Sequence, residues 1–181
     1  MKEMGTMAAK RKVHDEGALL EKYGNFSKKL TRHHHVENLS EFLLHDICDT
    51  DLFGLTKAAY LVNNPDFACL KGIVGYHYPE SFQLGESWLN PKDFTDHMKN
   101  SKFNNQVRAM QIPAFSLKSY DYKDKIFKMA EELNMNQPLY HVWDLKHENQ
   151  GIFLFEEGFD QRSHRDHLEK FLYMLSFCPI F

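Results

Sequence analysis

Two rhythms of apolar residues alternate along this chain, one with a period near two and one with a period near three and a half, and together they lay out an order of elements. The clearest period-two segment is Lys57–Tyr78, KAAYLVNNPDFACLKGIVGYHY, in which two β-prone apolar runs flank Asn63-Asn64-Pro65-Asp66. Pro65 fixes one φ angle, and the Asn and Asp side chains can bond their own backbone, so the segment reads as a hairpin. A second hairpin is read over Leu139–Lys146 and Gly151–Glu156, joined by a loop that ends in Gly151.

Helical spacing fills the rest. A short helix is expected over Val13–Tyr23. Another starts near Asn38, where Glu41 completes a capping-box pattern and Leu43, Leu44, Ile47 and Cys48 turn inward. Asn90-Pro91-Lys92-Asp93 announces a helix with Phe94, Met98, Val107 and Met110 on its buried face, open to interruption at Asn100–Asn105. Ile112–Lys118 reads as a strand. Asp121 precedes a helix carrying Tyr122, Ile126, Met129, Ala130 and Leu133, and the last helix begins at Ser163 and buries Leu168, Phe171, Leu172 and Leu175.

Ile112–Lys118, a helix and Leu139–Lys146 have the length of a βαβ crossover. The predicted fold is therefore an α+β two-layer sandwich, with a mainly antiparallel sheet of two hairpins plus one βαβ crossover and helices packed on one face. Residues 1–12 are expected to be a weakly ordered basic tail around Lys10-Arg11-Lys12, and residues 13–181 a single domain.

Composition narrows the function classes without choosing one. The 181 residues are 43% hydrophobic and 26% charged, ordinary values for one globular domain. A net charge of -3 gives no general attraction to nucleic acid or to anionic lipid, so neither is an expected partner. No apolar run is long enough to span a bilayer, and the three cysteines, Cys48, Cys69 and Cys178, sit among apolar neighbours. A cytoplasmic protein with reduced thiols is the expectation.

Candidate chemistry centres on His77. In an extended strand it points with Ile73 and Gly75, while Tyr76 and Tyr78 point to the other side. Gly72 and Gly75 leave room for a ligand to approach, and tyrosines combine aromatic area with a polar tip. Lys71, Tyr76, His77 and Tyr78 are thus read as lining a small-molecule site in a binding or regulatory domain. The alternative is a small metal-dependent enzyme. His45 and Asp49 share a helix face four residues apart, and with His77 they would form a two-His-one-carboxylate site for a divalent transition metal such as Fe, Zn or Mn. The competing reading makes Glu41, His45 and Asp49 a solvated stripe.

Whether the chain is an enzyme stays open at this level, and a protein-interaction module is a third class. Phosphate-cradling glycine loops and a GxSxG elbow are absent. Cys178-Pro179-Ile180-Phe181 has the form of a prenylation box, but it continues an apolar helix expected to be packed. The heavy aromatic load and the uncharged C-terminal run predict a homodimer, through the tail or a sheet edge.

Overall fold

The computed structural model describes residues 3–48, 53–81, 87–158 and 165–178, with side chains described at residue 17 and from 19 onward in the first helix and from 167 onward in the last. The chain divides into two compact units, Met1–Val36 and Glu37–Phe181. The first holds helix α1, Glu3–His33, longer at both ends than the helix expected over Val13–Tyr23. Ser27 and Thr31 donate their hydroxyls to the carbonyls four residues earlier, which keeps polar side chains compatible with the helix. No described helix is long and apolar enough to cross a membrane.

The second unit is built on a five-stranded sheet in the order β3-β2-β1-β5-β4. The first hairpin gives β1 (Leu55–Asn64) and β2 (Cys69–His77), and the second gives β4 (Leu139–Asp144) and β5 (Gln150–Glu157). β1 sits at the centre and pairs antiparallel with β2 and β5, so both hairpins share one sheet. β3 (Gln111–Pro113) lies beside β2 and antiparallel to it. Every neighbouring pair is antiparallel, so β3 and β4, at opposite edges, run the same way. Helix α6 (Tyr122–Glu132) carries the chain between them, and this is the expected crossover.

Helix α2 spans Leu39–Cys48, and a single turn, α3, spans Tyr78–Ser81. Pro91–Asn100 forms α4 and Lys102–Ala109 forms α5. The break between them falls at Ser101, whose extended backbone ends one helix while its hydroxyl accepts the Asn104 N–H of the next. Helix α7 (Arg165–Leu172) ends in a 3₁₀ turn, Tyr173–Phe177. The expected inward residues Leu168, Phe171, Leu172 and Leu175 are all buried. Ser163 and the Pro179–Phe181 tail invoked for the dimer lie outside the described residues.

The α+β class and the mainly antiparallel sheet are as anticipated. Helices, however, cover both faces of the sheet rather than one. Ala59, Leu61, Leu70, Ile152 and Leu154 pack with Phe103 and Val107 of α5 and Ile126, Met129 and Leu133 of α6. On the opposite face Tyr60 stacks on Trp143 at 5.5 Å, and Trp143 donates to the Ser176 hydroxyl at 3.0 Å. His45 of α2 packs against Tyr76 on that same face. The cause is the runs AAYLV and IFLF, which are apolar at odd and even positions alike and so leave neither face fit for water.

β3 is shorter than the strand expected over Ile112–Lys118. Pro113 has no N–H for the ladder. Beyond it the Asn63 side chain takes over: it donates to the Phe115 carbonyl at 2.8 Å and accepts the Phe115 N–H at 3.2 Å.

Candidate functional site

The short β3 has a consequence for β2. β3 pairs only with Cys69, Leu70 and Lys71, which leaves the following half of β2 without a neighbouring strand on that side. Helix α5 completes this edge. The Gly72 N–H donates to the Met110 carbonyl at 2.9 Å, and the Gly75 N–H donates to Asn104 Oδ1 at 2.9 Å. A β-bulge at Ile73, between the pairs Tyr60–Val74 and Leu61–Gly72, bends the strand at the same place.

Asn104 has no solvent exposure, and its amide nitrogen donates to Glu41 Oε1 and to the Met98 carbonyl, both at 3.0 Å. Glu41 is itself only 4% exposed, in contrast to its place on a solvated stripe in the sequence reading. Its carboxylate accepts from Asn104 and from Arg108 Nη1 (3.0 Å) on one oxygen, and from Asn38 Nδ2 (2.8 Å) on the other. Asn38 reaches on to Thr95 Oγ1 at 3.1 Å. The capping partnership of Asn38 and Glu41 thus extends into a network that joins α2, α4 and α5. A buried carboxylate with this many donors is well accommodated, since each replaces a lost water contact.

Over this network lies a cleft of about 590 Å³, lined by Glu37, Asn38, Ser40, Glu41, Lys71, Gly72, Ile73, Thr95, Lys99 and Arg108. The volume falls in the range that holds small molecules, roughly 300–1,000 Å³. Three cationic and two anionic side chains line it. The Arg108 and Lys99 side chains are 55% and 68% exposed, so both line the cleft while staying largely in water. Lys99 also lies 4.0 Å from Asp96, one turn back on α4.

The residues singled out from sequence do not converge on one point. Lys71 lines the cleft. His77 lies six positions further along β2, roughly 20 Å at strand rise. Its Nδ1 is 3.2 Å from Glu80 Oε1, and its ring is 5.7 Å from that of Phe103. Tyr76 is buried against His45, and Tyr78 opens the α3 turn. Of the metal set, the His45 ring packs edge-on to Tyr76 and Phe94, His77 is beside Glu80, and Asp49 lies outside the described residues. Among the described residues no group of three or more His, Cys, Asp or Glu side chains is placed to hold a metal ion.

Ser40, Lys99 and Arg108 were not identified from sequence. The only pointer to them was the Asn38–Glu41 cap, which locates the start of α2 but not what faces it.

The surroundings of His77 serve a structural joint. Glu80 accepts the Ser101 hydroxyl at 2.6 Å and the Phe103 N–H at 3.3 Å, pinning α3 to the start of α5. Burial alone would push the Glu80 carboxyl up. The hydrogen bonds from Ser101, His77 and Phe103 outweigh it and hold the group below its ordinary value. The folded state therefore takes up this proton at lower pH than the unfolded chain does. The stabilisation is present above the unfolded value of about 4.3 and is lost as pH falls through the lowered folded value. Glu80→Gln is expected to be less stable than wild type at neutral pH and to close that gap in acid. Urea midpoints measured across the acid range test this, and a gap that stays constant with pH would reject it.

No known protein family matches the chain, and no curated protein or solved structure is found similar to it.

Proposed function

We propose that the Glu37–Phe181 unit is a small-molecule-binding domain with its ligand seated in the cleft between α2, β2, α4 and α5. The observation that carries this reading is the combination of a cleft of about 590 Å³ with a floor of mutually bonded polar groups. Asn38, Glu41 and Asn104 hold one another in place, so ligand binding has little side-chain ordering to supply at that floor. Lys71, Lys99 and Arg108 stand around the mouth with charged groups able to engage a solute. His77, by contrast, is committed to Glu80, which moves the favoured site from the end of β2 to its bulge.

A thermal-shift screen of metabolites on the full chain, followed by calorimetry of each hit, tests the proposal. A ligand for this cleft raises the melting temperature, and its affinity falls at least tenfold in Thr95→Trp, whose indole fills the opening. Hits whose affinity is unchanged in that variant, or a screen with none, would count against the cleft as a ligand site.

A further inference from the structure

We infer that the group recognised in this cleft is a phosphate carried on a small molecule, an assignment that rests on reading the cleft as a ligand site. The start of α2 supplies the first half of the argument. Asn38, Ser40 and Glu41 all line the cleft, so the first turn of this ten-residue helix faces it. N–H groups of a first helical turn have no intrahelical acceptor, and the helix dipole adds partial positive charge there. The Glu41 N–H is taken by the Asn38 carbonyl at 2.9 Å, which leaves the N–H groups of Leu39 and Ser40 as those without a helical partner.

Ser40 supplies a second and independent observation. It is only 6% exposed, lines the cleft, and makes no hydrogen bond to another described residue. The residue is buried but lines the cleft, so its hydroxyl, beside the first-turn N–H groups, is a donor with room for an acceptor in front of it. An oxyanion fills that place. Phosphate has acceptor oxygens enough to take the Ser40 hydroxyl, a first-turn N–H and cationic donors together.

Charge agrees. Glu41 lines the same cleft, but both its oxygens already accept from neighbouring donors, and Arg108 stands against it as counter-ion. That contact uses Arg108 Nη1 and orients the guanidinium, leaving the other nitrogens of the fork to meet a ligand. Lys71 and Lys99 add two further cations against the exposed Glu37. Glu41 acts here as a positioning residue for Arg108.

Calorimetry on the full chain at low salt, with glucose 6-phosphate, inorganic phosphate, glucose and succinate as probes, tests the assignment. Glucose 6-phosphate is expected to bind and glucose not to. Inorganic phosphate reports whether the anion alone suffices: weaker binding than the ester supports a phosphate on a carrier, and equal or tighter binding overturns the carrier. Arg108→Gln should weaken the ester about tenfold to a hundredfold, as expected for a lost charge-assisted contact. The Lys71→Gln/Lys99→Gln double variant alters exposed side chains only and should weaken it similarly without changing the melting temperature of the free protein. Ser40→Ala should weaken the ester while leaving its salt dependence intact. Preference for succinate, or equal binding of glucose and its phosphate, would overturn the phosphate while leaving the cleft as a ligand site. Absence of binding by all four probes would overturn the phosphate assignment; the ligand reading then stands or falls on the Thr95→Trp result with hits of other classes.

Discussion

Replacing Asn104 with Leu is expected to lower folding stability by about 3 kcal/mol. The side chain has no exposure and makes three hydrogen bonds, accepting the Gly75 N–H and donating to Glu41 and to the Met98 carbonyl. Leucine is similar in size and leaves no large void, so the cost is not one of packing. It comes from partners stranded without water, and each stranded group costs about 1–3 kcal/mol. Glu41 retains Arg108 and Asn38, which moderates its share. The Gly75 N–H has no such reserve. Asn104→Asp should be worse still, because it sets a second carboxylate against Glu41 in a buried site. The neighbouring Asn105 is exposed, and Asn105→Ala should cost under about 0.5 kcal/mol. Urea unfolding measures all three. Hydrogen exchange at the Gly75 amide should accelerate in Asn104→Leu, and a stability loss below about 1 kcal/mol would show that the edge of β2 is not held in this way.

The second large effect is expected at Gly72. A Cβ built there would lie 1.9 Å from the Val107 carbonyl oxygen and 2.7 Å from its carbon. The clash is with helix backbone, which no rotamer change relieves. Gly72→Ala must therefore push α5 away from β2. Overpacking of this kind costs about 1–3 kcal/mol and occasionally more, and the upper end is expected here because the Gly72 N–H bond to Met110 is strained along with it. Since Gly72 lines the cleft and Arg108 follows Val107, ligand affinity should fall with stability. Gly24→Ala in α1 is the contrasting case. A Cβ there meets nothing within 4 Å, and alanine should leave stability unchanged or raise it by up to about 1 kcal/mol. Gly72→Ala should melt below wild type and Gly24→Ala at or above it, and a Gly72→Ala protein as stable as wild type would refute the close approach of α5 to β2.

Much of the fold was readable along the chain because its cues are local. The NNPD turn sets the first hairpin, Pro91 starts α4, and helical spacing marks the buried faces of α6 and α7. An interruption was anticipated over Asn100–Asn105, and it falls at Ser101, whose hydroxyl takes the Asn104 N–H. The two covered faces were also legible in AAYLV and IFLF, whose unbroken apolar runs have no polar side to offer. Helices were nonetheless expected on one face only, the arrangement that suits antiparallel strands with one face in water.

The candidate site was legible only in fragments. Lys71 was singled out, yet its expected companions Tyr76, His77 and Tyr78 go elsewhere, since neighbours on a strand alternate faces and six residues carry the chain roughly 20 Å. Nothing local to Ser40 or Arg108 marks either as facing a cleft. Glu41 shows the gap most clearly: on its own helix it is one charged residue in a stripe, and Asn104 and Arg108, more than sixty positions later, make it a buried anchor.

By itself, then, the sequence determined the α+β class, the two hairpins, most helix positions and the inward-facing residues, because turn chemistry and hydrophobic periodicity act over a few residues. Only the tertiary structure decided that β3 stops short, that α5 finishes the exposed edge of β2, and that Ser40, Lys71, Lys99 and Arg108 meet around one cleft. Those outcomes depend on backbone groups seeking partners across the fold, a requirement that joins residues distant in sequence and leaves no periodic trace in it.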